Sequence, residues 1–211
     1  MTKKQVAFLV IFLILIADQI LKIWIKTTFY LGEDRHVLGN WFILHFVENR
    51  GMAFGVEFAG RFGKVLLTIF RAVAATAIMW YLFKLIKKGI PTGFVICIAM
   101  IFAGAVGNII DSAFYGVIFS DSYGRIAEFM SKGGGYETFL HGSVVDMFYF
   151  PLIDTNIPSW SPINAGQRFI FFRPVFNIAD SSITVGITLI LLFYRKVFNE
   201  LDTKKENNPD K

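Results

Sequence analysis

From Pro91 to Ile110 the chain reads PTGFVICIAMIFAGAVGNII, a stretch with no charged side chain. A helix of that length rises about 30 Å, enough to cross the hydrocarbon core of a bilayer. Three further apolar blocks, at about residues 6–25, 65–86 and 175–197, match it in length. The 55% of hydrophobic residues are thus gathered in blocks rather than dispersed as in a soluble core. The expectation is an all-α polytopic membrane protein with four transmembrane helices and one domain over residues 1–198. Asp18, Lys22, Arg71 and Asp180 interrupt the other blocks and must face protein or the interface.

The net charge of +5 is distributed by topology. Lys3 and Lys4 precede the first block, Lys84, Lys87 and Lys88 fill the turn between the second and third, and Arg195, Lys196, Lys204, Lys205 and Lys211 follow the fourth. All these places share one side if four blocks span, and basic residues mark the cytoplasmic side. Both termini are therefore expected in the cytoplasm, with residues 199–211 a polar, disordered tail. Lys22 and Lys26, at the far end of the first block, run against the bias without reversing it. This pattern argues against a nucleic-acid footprint. The first block begins like a signal peptide but is long, carries Asp18 and Lys22, and has no clear cleavage site; it reads as a retained span. Cys97, alone and mid-span, reads as a packed thiol.

Two non-cytoplasmic segments follow, at about residues 27–63 and 113–174. NWFILHFVENRGMAFGV alternates as a strand, with Trp41, Ile43, His45 and Val47 on one side and Phe42, Leu44 and Phe46 on the other. Both sides are apolar, which suits a small β-sheet at the membrane surface or an ordinary packed hairpin. Gly51 permits a tight turn before MAFGV. SKGGGYE reads as a loop tip, and Pro158 and Pro162 argue against continuous helix in DTNIPSWSPINAGQ.

Acidic residues stand at the edges of the apolar blocks. On a helix Gly104, Asn108 and Asp111 share a face, Gly104 and Gly107 allow a second helix close, and Asn177 and Asp180 are also three apart. Asp18 and Lys22 have the spacing of an intrahelical pair. Each acid has a structural reading: Asp180 as the cap of the last helix, Asp111 as an acceptor beyond the third, Asp146 as an anchor of the returning loop. The other reading pairs Asp146 with Asp180, two carboxyls sharing one proton and able to activate water. Spacing does not decide between them. No G-x-S-x-G, H-E-x-x-H or P-loop occurs, and His36, His45 and His141 lack partners for a zinc site.

With ADQILK, ENRGMAF, GAVGNIID, HGSVVDM and FNIAD in this order, the chain resembles the bacterial lipoprotein signal peptidase family, signal peptidase II, over roughly residues 6–197. The resemblance implies a cell inner membrane aspartic endopeptidase, without cofactor or metal. It would cut diacylglyceryl-modified prolipoproteins just before the lipidated cysteine, at the periplasmic side. Matched by motif, Asp146 and Asp180 are the catalytic dyad. Asn108, Asp111 and Asn177 line or order the site; Asp18, Lys22, Asn49, Gly51 and Gly104 support it. Implied partners are prolipoprotein substrates, membrane lipids and globomycin-type inhibitors; no nucleic acid is implied, and a monomer is expected. The small sheet and the extended loop become periplasmic.

Two departures stand out. Ser112 occupies a place where the family usually has arginine, so that a charge contact would have to come from elsewhere, with Arg125, Arg168 and Arg173 as candidates. The loops between Asp111, Asp146 and Asp180 are longer than usual, as in members from the Bacteroidetes group, and the loop after Asp111 is a candidate lid. Other classes make different predictions. A small proton-coupled transporter needs carboxylates along a path through the bundle. A non-catalytic assembly protein would tolerate neutralisation of Asp146 and Asp180.

Overall fold

A computed structural model describes residues 1–51 and 60–197. Helix α1 (Lys3–Lys26) starts at a capping box, in which Thr2 accepts from the Gln5 amide and the Gln5 side chain accepts from the Thr2 amide. Helices α2 (Gly60–Lys87) and α3 (Thr92–Ile110) follow. A π-helical segment, Asp111–Tyr115, and a last turn, α4 (Gly116–Ile118), prolong α3. The stretches Lys3–Lys26, Phe62–Lys87 and Thr92–Ile118 are each long and apolar enough to cross a membrane. Their outward side chains, among them Phe12, Leu13, Phe70, Val73 and Trp80, are exposed, as lipid-facing residues should be.

The fourth helix, α5 (Ile178–Phe193), is shorter than the expected block. Val175–Phe176 is drawn off as strand β6, and the Asn177 side chain then caps α5 by accepting from the Asp180 amide at 2.9 Å. Asp180 therefore stands in the first turn and is not the cap. At 16 residues the helix rises only about 24 Å.

Helices α3 and α5 meet at glycine. A Cβ on Gly104 would lie 2.2 Å from the Ala179 carbonyl, and one on Gly107 would lie 2.8 Å from Asp18 Oδ2. Backbone cannot step aside as a flexible side chain can. Gly104→Ala is therefore expected to destabilise the protein by about 1–3 kcal/mol, the usual cost of overpacking. Gly133→Ala, whose nearest contact is 3.8 Å away, should change stability by less than about 0.5 kcal/mol. Thermal unfolding of both variants in detergent checks the pair. Cys97 is buried against this seam, its carbonyl 2.8 Å from the position of a Gly186 Cβ, which bears out the packed thiol.

All-α is too coarse a description. Strands β1 (Asp34–Leu38), β2 (Phe42–Asn49), β3 (Val144–Tyr149) and β6 form one antiparallel sheet in the order β1-β2-β3-β6. A register shift between Leu44 and Val47 breaks the alternation expected of β2, so that Ile43 and Phe46, three apart, are its buried residues. Beneath the sheet Ile25, Phe29, Phe46, Tyr115, Phe119, Val145 and Met147 form a core separate from the helical one around Ala7, Leu82, Phe94, Ala99 and Ile190. The turn-rich stretch closes a second sheet, β4 (Ile153–Asn156) paired with β5 (Arg168–Phe171), with both prolines in the connecting loop.

The segment after Ile118 folds back on the end of the third helix. The amides of Met130, Glu137, Leu140 and Gly142 donate to the carbonyls of Ile118, Gly116, Ala113 and Ser112. Those of Gly116 and Ile118 are carbonyls that a helix end leaves without partners. Gly142 is needed here because a Cβ would lie 2.2 Å from the Asp111 carbonyl. These bonds hold the stretch against the end of the third helix, and it delivers the chain to β3.

Candidate active site

Lys22 is the hub of the polar cluster where the helices meet the sheet. Its side chain is fully buried, 2.9 Å from Asp18 Oδ2 and 2.8 Å from Asp111 Oδ2, and it donates to Asn108 Oδ1 at 2.9 Å. The three donors of an ammonium group thus find three acceptors. One cation stands against two buried carboxylates, and dipoles supply the balance. The Ala179 amide donates to Asp18 at 2.9 Å, the Val145 amide to Asp111 at 3.3 Å, and Gln19 Nε2 to Asp111 Oδ1 at 2.9 Å. Tyr115 in turn donates to Gln19 Oε1 at 3.2 Å. The cluster therefore ties α1 to α3, to the start of α5 and to β3.

Because Lys22 can only donate, it fixes which end of the Asn108 amide is oxygen. Nδ2 of Asn108 must then face the other way, and it donates to Asp180 Oδ1 at 2.8 Å. The Asn177 amide does the matching task for Asp146. Its Nδ2 donates to Asp146 Oδ1 at 2.7 Å and lies 3.1 Å from Asn108 Oδ1. Asn49 Nδ2 reaches the second oxygen, Asp146 Oδ2, at 3.2 Å, while Asn49 Oδ1 accepts from the Gly51 amide at 2.8 Å. Gly51 has φ +85°, and a Cβ there would lie 2.7 Å from the Leu67 side chain. Asp146 and Asp180, distant in the chain, are thus held by two amides that bond to each other.

The two acids differ in setting. Asp146 is 3% exposed, in the middle of β3. Burial, and next the charge of Asp180, push its carboxyl up to about 7, against the opposing pull of Asn49, Lys22 and Asn177. Asp180 is half-buried in the first turn of α5. A carboxyl that keeps its proton near neutral pH beside another is what acid-base chemistry on a carbonyl requires. Among the described residues no group of three or more His, Cys, Asp or Glu side chains could hold a metal ion.

The sequence matches the family model described as Signal peptidase (SPase) II over residues 10–196. The chain belongs to the signal peptidase II family. Proteins named lipoprotein signal peptidase from two strains of Porphyromonas gingivalis are 53% identical to it over 204 residues, 96% of this chain and 88% of theirs. One from Amoebophilus asiaticus is 37% identical, over 91% of this chain and 79% of its own. Two solved structures described as a bacterial membrane enzyme share the fold. One has TM-score 0.57 at 24% identity, covering 96% of this chain and 93% of its own; the other has 0.58 at 23%, covering 91% and 94%. The chain is accordingly a membrane peptidase.

All ten residues singled out from the sequence of this family member, Asp18, Lys22, Asn49, Gly51, Gly104, Asn108, Asp111, Asp146, Asn177 and Asp180, lie in or against this one cluster. Ala53 and Phe54 of ENRGMAF, and the tail, lie outside the described residues. The histidines stay apart: His45 pairs with Asp34, His36 with the Gly39 carbonyl, and His141 with Thr138.

Other participants escaped sequence reasoning. Lys26 is buried on Glu48 and Ser122, with its ammonium 4.8 Å from the Tyr136 ring centre. Lys22 and Lys26 ran against the charge bias because each is paired inside the protein. Ser112 is buried and donates to the Asn108 carbonyl at 2.9 Å. Arg125 pairs with Asp121, and Arg168 lies on β5. Arg71 of α2 is half-buried and shares a helix face with the buried Thr68 and Ala75.

Proposed function

We propose that this enzyme removes the signal peptide from diacylglyceryl-modified prolipoproteins, cutting N-terminal to the lipidated cysteine, with Asp146 and Asp180 as the catalytic pair. The observation that carries the reading is the pair itself: two carboxyls on one linked amide couple, one of them, Asp146, raised by burial to about 7. The relatives' name, lipoprotein signal peptidase, supplies the substrate class.

In this reading α5 is the fourth span, both termini are in the cytoplasm, and the sheet and site face the periplasm across the bacterial inner membrane. The substrate's acyl chains hold it in the bilayer at about 0.8 kcal/mol per buried methylene. That brings the scissile amide to the depth of the carboxyl pair. One carboxylate takes a proton from water as the oxygen attacks the carbonyl carbon. The protonated partner polarises the carbonyl oxygen and then gives its proton to the departing nitrogen. The C–N bond breaks, leaving a carboxylate on the signal peptide and a free amine on the lipidated cysteine. Asn108 and Asn177 keep the two carboxyls aimed throughout.

A transporter fits less well. The cluster sits at one end of the bundle, and the other end is closed by the apolar core around Ala7, Leu85, Phe94 and Ile190. The direct test is purified protein in detergent with a synthetic precursor, lipidated or carrying a free cysteine. Cleavage of the lipidated form alone supports the proposal; no cleavage of either would overturn it. The proton on Asp146 also sets a pH limit. Since the acid is needed protonated and its carboxyl is raised to about 7, kcat/KM should fall as pH rises through about 7. A profile flat from pH 6 to 9 would contradict the assignment.

A further inference from the structure

We propose that residues 119–142, folded back along the end of the third helix, form a membrane-interface element. Its outer side chains Phe129, Met130 and Phe139 lie among the lipids of the leaflet in which that helix ends. This rests on the long apolar helices being spans, and not on the chemistry of the carboxyl pair.

The stretch Thr92–Ile118 has 27 residues, a rise of about 40 Å. That exceeds the hydrocarbon core of about 30 Å and nearly equals the bilayer with its headgroup zones. Its last turns therefore lie in the interfacial zone, where Phe114 and Val117 are 46% and 50% exposed. The folded-back segment extends this apolar surface instead of covering it. Phe139 packs on Phe114 with ring centres 5.6 Å apart, and Phe129 on Phe119 at 5.4 Å. The Met130 amide donates to the Ile118 carbonyl at 2.7 Å. Yet Phe129, Met130 and Phe139 remain 55%, 74% and 54% exposed. Exposed apolar side chains gathered in one place mark a contact surface.

Irregular chain is tolerated at membrane depth only where the protein itself satisfies its backbone polar groups. Here the amides of Ser120 and Tyr136 join those of Met130, Glu137, Leu140 and Gly142, donating to the Glu128 and Phe119 carbonyls at 3.0 Å. Gly135 lets the segment press on the helix, since a Cβ there would lie 2.1 Å from the Gly116 carbonyl. The inner side is polar and held by protein. Ser122 donates to Glu48 at 2.6 Å and accepts from Lys26 at 3.1 Å, and Tyr136 accepts from the Ser143 amide at 2.6 Å. The segment is thus two-sided, with polar groups turned to the protein and apolar ones outward. Exposed Tyr123 is of the type that gathers at membrane interfaces, and exposed Lys132 can lay its stem on apolar surface while its ammonium meets headgroup phosphate. A second copy of the chain would also cover such a patch. Continuity with Phe114 and Val117, at the end of a span, favours lipid.

The test places a nitroxide on Met130→Cys and Phe139→Cys in the full-length protein, one copy per lipid nanodisc. Cys97, the native thiol, is buried. Collisions of the label with dioxygen, which concentrates in lipid, are compared with collisions with a water-soluble nickel chelate. Leu13→Cys, midway along α1 and 55% exposed, is the lipid reference, and Lys88→Cys, in the exposed basic turn, is the water reference. Oxygen collisions should exceed nickel collisions at both test sites, as at Leu13 and in reverse of Lys88. Nickel dominating at either site would put the segment in water and overturn the proposal. Shielding from both reagents would mean that protein covers the patch, and would overturn it equally. If Met130→Cys or Phe139→Cys does not fold, Phe129→Cys takes its place and is read the same way. Nickel dominating at Leu13 as well would fail the reading of the helices as spans; with Leu13 in lipid, only the placement of residues 119–142 fails.

Discussion

Asp146→Asn and Asp180→Asn should each lower turnover of a lipidated precursor by well over about 100-fold, the minimum expected for losing a positioned acid or base. The change is nearly isosteric and removes the ability to hold or take a proton; at Asp146 it also replaces one acceptor of the Asn49 and Asn177 hydrogen bonds by a donor. The loss should not come from unfolding. Asp146 is raised from the ordinary carboxylate range to about 7 in the folded protein, so the folded state binds the extra proton between those limits. Its contribution to stability is full below that range and is lost as pH rises through about 7. Wild type should therefore lose thermal stability between pH 5 and pH 8 more than Asp146→Asn does. Near-wild-type turnover by either purified variant would remove the pair from the mechanism.

Lys22→Met should be the most damaging change to the scaffold. It leaves Asp18 and Asp111, 1% and 0% exposed, with no cation between them. Removing one partner of a buried ion pair costs about 3–5 kcal/mol, because the remaining charge is left in a medium that cannot solvate it. It also frees the Asn108 amide, whose orientation Lys22 sets and on which Asp180 depends. Activity should fall with stability. Adding Asp111→Asn to Lys22→Met removes one of the stranded charges and should recover part of the lost stability. The measurement is chemical or thermal unfolding of the single and double variants in detergent. An unfolding midpoint for Lys22→Met equal to wild type would refute the account of the hub.

Much of the site was legible because helix spacing is local information. Asp18 and Lys22 pair as their separation demands, and the glycines at 104 and 107 do admit α5. What spacing could not give was direction. Asn177 and Asp180 were correctly placed at the start of the last helix, but a cap is chosen by backbone geometry, and Asn177 holds that place. The break in β2 comes from a bulge that its alternating pattern gave no sign of. The pairing of Lys26 with Glu48 and Ser122 joins α1, the sheet and the folded-back segment, and no local pattern encodes it.

The most direct measurement is the intact mass of both fragments after a diacylglyceryl prolipoprotein is incubated with wild type, Asp146→Asn and Asp180→Asn. The account predicts a cut immediately before the modified cysteine for wild type and uncut precursor for both variants. A cut elsewhere, or the same fragments from either variant, would contradict it.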